Sequence, residues 1–406
     1  MAAESSSEGK KQKLVPPSIV SKWKKERLQV LQTGEFTVLE VPEKAVSDKK
    51  KTQKKCAADA ITVKGKKFEW KPSPLLSSTI RIADLTGAAL SSDGSLAVIA
   101  ERVGGEGKAN STRIICIDVP KKRIADGFII PEKLISSISF VPGSQSEVLG
   151  IRSGFEPFKV KPGLVRIDLK SRAVTDSFNT PGGREITSFS ANEKSVFLTL
   201  AGSSSFLELD IDSFAAVPVN VASRIPLPKV CAAGEKIILF GEKGVEIFRM
   251  DEKRWIPDEE ILKAPARFTA AHCQVIDPAA PGLCFTGQSE ENAWYLQGNT
   301  FKALKERVSG LTAWDPGTRL LFIELVSNSM ISVLNMPEAV ENVKPAAPNR
   351  LRPANRNGSF ALLTAPGLKQ QMIQIDNRGN VFLLDYSRLV RWKKSSVYIA
   401  DRTAFR

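Results

Sequence analysis

A polar turn followed at once by a run of apolar residues recurs along most of this chain. It reads SSDGSLAVIA at 91–100, PGSQSEVLGI at 142–151, ANEKSVFLTL at 191–200 and AAGEKIILFG at 232–241. It continues as DPAAPGLCFTG at 277–287, DPGTRLLFIE at 315–324 and RNGSFALLTA at 356–365. Gly94 and Gly358 hold the same place in the first and last copies and lie 264 residues apart, so seven copies over six intervals give a mean repeat of 44 residues. A sustained period of that length means an array of like units, because one such unit cannot bury its apolar face alone.

Each copy is followed by a hairpin pattern: alternating apolar and polar residues, a turn, and a second alternating run. Examples are RIICIDVPKKRIADGF, LVRIDLKSRAVTDSF, GVEIFRMDEKRWIP and QMIQIDNRGNVFLLDY. Asp118, Asp168, Asp210 and Asp376 end the first strand of their hairpins. A short carboxylate there accepts backbone N–H bonds and shapes the turn, which makes turn chemistry the expected role of all four. A short segment of small or apolar residues (TGAAL, SSISFV, TSFS, PKVC, LTAW) precedes each turn. Every unit therefore holds about four strands and no helix, an all-β arrangement. Four strands per repeat of this length resembles the β-propeller superfamily, and the size class is that of WD-repeat proteins. The resemblance covers roughly 60–406 and rests on period and pattern. The Gly-His and Trp-Asp signatures are missing, since the one Trp-Asp pair, Trp314-Asp315, precedes the second strand of its unit.

A propeller implies closure, because an open sheet edge leaves backbone groups unpaired. AITVKGKKFEWK (60–71) reads as a strand-turn-strand hairpin, and RLVRWKKSSVYIADR (388–402) as two further strands. The expectation is seven continuous blades plus one split blade shared by the two ends, eight in all; the alternative is seven. Residues 1–59 stand apart as a basic N-terminal extension. SIVSKWKKERLQVLQTG (18–34) is expected to be a helix capped by Ser18 and ended by Gly34, and SDKKKTQKK (47–55) a lysine-rich linker.

The net charge of +14 is unevenly placed. Residues 1–75 carry +8 and residues 387–406 carry +5, which leaves 76–386 at +1. The near-neutral body argues against a nucleic-acid platform spread over the whole body and leaves the termini for any such contact. Five dispersed cysteines without a CxxC pair read as buried apolar residues in a reducing compartment. The opening MAAESSSEGKKQKLVPP lacks the apolar core of a secretory leader, although a leader already removed would leave the same trace. Cytoplasmic residence and no membrane span are expected.

Motifs for chemistry are sparse. His272 is the only histidine, which rules out a three-histidine metal site, and no cysteine spacing fits zinc. VGGEGKANST (103–112) fails as a phosphate loop, with Arg102 where the first glycine belongs and Ala109 after the lysine. No catalytic group, cofactor or metal is expected. Two insertions, 102–112 and SGFEPFKVKPG (153–163), fall between second and third strands on neighbouring units. In the second, Phe155 and Phe158 are interleaved with Arg152, Lys159 and Lys161, a mixture suited to a partner surface. Trp23, Lys24 and Lys25 are a second candidate contact, echoed by RWKK at 391–394. The expected function is a non-catalytic protein-interaction scaffold. A nucleic-acid-associated propeller using its basic termini, and an enzyme with its site in the central channel, are the alternatives.

Overall fold

A strand that buries apolar residues must also pair its backbone N–H and C=O groups, and each unit does so as an antiparallel sheet. The computed structural model describes residues 84–386, apart from 105–110, 132, 155–158, 220, 253, 259–260, 266–267, 269, 278–281, 288–291, 326–330, 337–348, 352–358 and 378. It also describes the strand residues 60–63, 66–69 and 73–74. All belong to the unit Glu40–Arg406.

These residues form six sheets of four or more strands and one separate antiparallel hairpin, Ala60–Val63 with Lys66–Glu69. The first sheet runs Leu85–Leu90, Leu96–Val103, Ser111–Asp118, Arg123–Ile130, each neighbour antiparallel. The second runs Ile135–Phe140, Glu147–Arg152, Gly163–Asp168, Ala173–Asn179. The third runs Ile186–Ala191, Ser195–Leu200, Phe206–Asp210, Ala216–Val217. The fourth runs Lys229–Ala233, Lys236–Gly241, Gly244–Asp251, Arg254–Pro257, with Leu262–Lys263 added beside Gly244 and Val245. The fifth has seven strands from Ala270–Asp277 to Asn349–Leu351. The sixth runs Ser359–Leu363, Gln371–Asp376, Val381–Asp385 and takes Ser73–Pro74 as its fourth strand.

Seven hydrophobic clusters fill the seams. One joins the first and second sheets (Val98, Ile114, Ile135, Val165) and another the second and third (Leu149, Leu164, Val196, Leu209). Others join the third to the fourth (Phe197, Phe206, Phe248, Trp255) and the fourth to the fifth (Phe240, Val245, Leu283, Phe285). One lies inside the seven-stranded sheet, between Tyr295 and Leu304 on one half and Leu321 and Ile323 on the other. The last two join that sheet to the sixth (Phe322, Met372, Leu384, Tyr386) and the sixth back to the first (Ile99, Ile115, Ile373, Ile375). The circuit is therefore a closed ring. Each fully buried Ile, Leu or Phe contributes roughly 1.5–3 kcal/mol of transfer free energy.

The innermost strands of neighbouring sheets are stitched by hydroxyls. Thr86 Oγ1 donates to the Ile135 carbonyl (2.7 Å), and Thr364 Oγ1 to the Trp314 carbonyl (2.7 Å). Ser188 and Ser190 accept the Val230 and Ala232 N–H groups (2.8 and 2.9 Å). These contacts account for Thr86, Ser188 and Ser190 in the small-residue segments, and for Thr364: they satisfy backbone groups that no ladder reaches.

Two sequence expectations need correction. RNGSFALLTA was expected to hold the second strand of its unit, as SSDGSLAVIA does. Leu96–Val103 is a second strand, but Ser359–Leu363 stands at the inner end of its sheet, with Leu362 packed toward the fifth sheet and Leu363 toward the first. Innermost and second strands here are both short apolar runs entered through a turn, so the local pattern does not tell them apart. The last unit, expected to be continuous, instead borrows Ser73–Pro74 as its outer strand. Thr300–Asp315 is also unbroken for 16 residues, serving as the fourth strand of one set and the first of the next. It bends at Gly310, whose φ of 97° suits glycine. The helix expected over 18–34, the linker 47–55 and the strands expected over 388–402 lie outside the described residues.

Candidate interaction face and axial cavity

The insertion after the second strand of the second sheet is held by its ends. Arg152 was expected to be a surface cation. It is 6% exposed, and its guanidinium is spent internally. Nε donates to the Lys161 carbonyl at 2.8 Å, and Nη2 donates to Asn179 Oδ1. Burial pulls its pKa below the ordinary arginine value. The Gly154 N–H donates to Glu185 Oε1 (3.0 Å), on the connection leading into the third sheet. Gly163 leaves no room for a Cβ, which would meet the Phe178 carbonyl. Between these anchors Lys159 and Lys161 are exposed, and Lys159 adopts a φ of 53°. Phe155 and Phe158 lie outside the described residues, as do Trp23, Lys24 and Lys25. Arg152 thus anchors the Lys161 backbone, while the Lys159 and Lys161 side chains are exposed.

A second connection on this side, between the third and fourth sheets, is braced from within. Glu246, almost fully buried, accepts Ser223 Oγ (2.8 Å), the Arg224 N–H (3.1 Å) and Arg224 Nε (2.8 Å). The brace carries Leu227, 64% exposed and at φ 49° between Pro226 and Pro228. A β-carbon residue at positive φ, held open to solvent by a buried carboxylate, is a preorganised surface point.

On the other side, at the mouth of the axis, lies a cavity of about 430 Å³. Uncharged residues line it, Ser92, Ser139, Gln274 and Thr364 beside the larger Phe140 and Trp314. No titratable pair converges there, so the lining offers hydrogen bonds and apolar surface but no acid–base couple. His272 is on the strand that carries Gln274. Its side chain reaches solvent, yet the surrounding protein and the Lys229 ammonium both disfavour the imidazolium and hold its pKa below the ordinary value. Among the described residues no cluster of His, Cys, Asp or Glu has the arrangement to hold a metal, and no helix is long and apolar enough to cross a membrane.

No family model and no curated protein matches the chain. Solved structures do. The Cps50 (Swd1) β-propeller domain of Myceliophteria thermophila aligns with a TM-score of 0.55 at 10% identity, covering 77% of this chain and 99% of that one. The RRP9 WD40 repeats align with a TM-score of 0.54 at 10% identity, covering 78% and 99%. At this identity the likeness is one of fold: the chain has a β-propeller fold. Kuenenia stuttgartiensis hydrazine synthase is also similar, with a TM-score of 0.54 at 10% identity over 77% of this chain and 98% of that one.

The propeller's seams hold buried carboxylates that sequence reasoning did not single out. Glu208 accepts Ser195 Oγ (2.7 Å) from its own sheet and Trp255 Nε1 (2.8 Å) from the next. Glu324 accepts the Ser359 N–H (2.6 Å) across another seam, and Asp315 accepts Tyr386 Oη (2.7 Å). Burial and the neighbouring Asp315 carboxylate push the Tyr386 hydroxyl far above its ordinary range, so it remains a donor. Glu101 and Arg113, register partners in the first sheet, form a buried ion pair. A charged residue in the middle of an apolar β-run is the signal that marks such positions, as in AERV and LELD.

Proposed function

We propose that this propeller is a non-catalytic protein-interaction scaffold that engages its partner on the side bearing the 153–162 insertion. The observation that carries the reading is the anchoring of that insertion. The buried Arg152 and the Gly154–Glu185 bond fix its two ends while Lys159 and Lys161 stay in solvent. A loop whose ends are already fixed loses less conformational entropy on binding. The partner is expected to contact Lys159 and Lys161 together with Phe155 and Phe158. Seven blades are the count we favour over eight. The seven seam clusters support it, as does a seven-stranded sheet that divides at Thr300–Asp315 into two four-stranded sets.

Affinity capture from the native source tests the proposal, comparing wild type with F155A/F158A and K159E/K161E, with and without nuclease. A protein retained after nuclease treatment and lost from both variants supports the scaffold. Capture unchanged in both variants refutes the chosen side. The basic ends favour a second reading, a nucleic-acid-associated propeller. It requires binding that weakens steeply with salt and disappears when residues 1–59 are removed.

A further inference from the structure

Cys231 and Cys273 meet across one seam of the ring. Side chains alternate along Lys229–Ala233: Val230 packs with Phe197 and Phe206 toward the third sheet, while Cys231 and Ala233 pack with Phe240 and Phe285 toward the fifth. Along Ala270–Asp277, Cys273 and Val275 enter the same cluster from the opposite side. Cys231 Sγ donates to both the Ala232 and the Cys273 carbonyl oxygens at 3.8 Å, which sets its thiol against the backbone of its counterpart. Both cysteines are free and half-buried. Cys284 points into the next seam and Cys116 into the seam between the first and second sheets. The innermost strands that carry the pair share no backbone ladder.

We propose that Cys231 and Cys273 form a dithiol that a peroxide closes to a disulfide, stapling two neighbouring innermost strands. The Cys231 thiolate attacks one peroxide oxygen; an S–O bond forms, the O–O bond breaks and hydroxide leaves. Cys273 then attacks the resulting sulfenic sulfur; the S–S bond forms, the S–O bond breaks and water leaves. Each sulfur gives up one electron and one proton, and the peroxide is reduced to two waters. Burial and the adjoining thiols hold the Cys273 pKa well above its ordinary value. Closure is therefore slow at neutral pH and speeds up as pH rises, because the thiolate is the attacking species. The bond spans 42 residues, a loop long enough for a crosslink to restrict the unfolded chain appreciably.

The experiment treats the reduced full chain with hydrogen peroxide at pH 7 and pH 9, blocks remaining thiols with iodoacetamide, and maps the peptides by mass spectrometry. The expected result is a Cys231–Cys273 peptide pair reversed by dithiothreitol, formed faster at pH 9, with an unfolding temperature raised by a few degrees. The pair forms in C284S and is absent from C231S and C273S. The wild-type peptide map alone suffices should either variant misfold. Alkylation of both thiols after treatment, their over-oxidation without a crosslink, or a crosslink to another cysteine overturns the proposal.

Discussion

Glu208 shows how one buried side chain joins two blades. Its two carboxylate oxygens take donors from different sheets, Ser195 Oγ and Trp255 Nε1, beside an aromatic cluster in which Trp255 meets Phe197 edge-on at 5.5 Å. Substituting Glu208→Leu strands both donors at about 1–3 kcal/mol each, whereas Glu208→Gln keeps an acceptor for the indole and lets the serine hydroxyl rotate. Urea unfolding should therefore show a large loss for E208L and a much smaller one for E208Q; equal losses would mean that the charge and not the acceptor count matters. Gly367 poses a different constraint. A Cβ there would run into the Asp93 carbonyl of the neighbouring turn. Backbone against backbone cannot yield cheaply, so Gly367→Ala should cost about 1–3 kcal/mol, read as a lower midpoint in urea. Gly94, in the same turn, sits at φ 72°, where only glycine rests without strain.

Hairpins are the elements most legible in the sequence. Asp118, Asp168, Asp210 and Asp376 accept backbone N–H bonds from Lys121, Lys170, Ser213 and Asn380, at 2.8 to 3.0 Å. Turn chemistry is local, so four residues suffice to specify it. Hydrogen bonds from Lys121, from the Lys170 N–H and from the Ser213 N–H hold Asp118, Asp168 and Asp210 below the ordinary carboxylate pKa, and the Ser91 hydroxyl does the same for Asp93. Their folded values lie below the unfolded value of about 3.9, so their contribution is complete above that pH and is lost as pH falls through the folded values. Unfolding midpoints measured from pH 6 down to pH 2 should drop steeply for wild type and less steeply for D93N/D118N/D168N/D210N. Strand order was less legible than strand existence. Ser359–Leu363 and Leu96–Val103 share a local pattern yet occupy different ranks in their sheets, because rank depends on which neighbour is present.

The described sheets form a ring whose last seam joins residues near both ends of the described chain. Ile373 and Ile375 pack against Ile99 and Ile115, and Ser73–Pro74 supplies the outer strand beside Phe382 and Leu383. A chain starting at residue 82 should unfold several degrees below one starting at residue 60, as followed by circular dichroism; equal temperatures would show that the borrowed strand adds nothing to closure. The insertion side was partly readable in advance. Aromatic and basic residues marked 153–163, but Arg152 turned out to be an anchor, since only folding places Asn179 and the Lys161 carbonyl around its guanidinium. The facing thiols of Cys231 and Cys273, the hydroxyl stitches and the Glu208 bridge were likewise hidden, each joining residues about 40 or more positions apart. Repeat period, strand alternation and turn residues are short-range properties, and they were enough to specify an all-β array of four-stranded units. Which strand lies innermost, where the ring closes and which polar groups meet across a seam depend on contacts between distant segments, and these exist only once the sheets have packed.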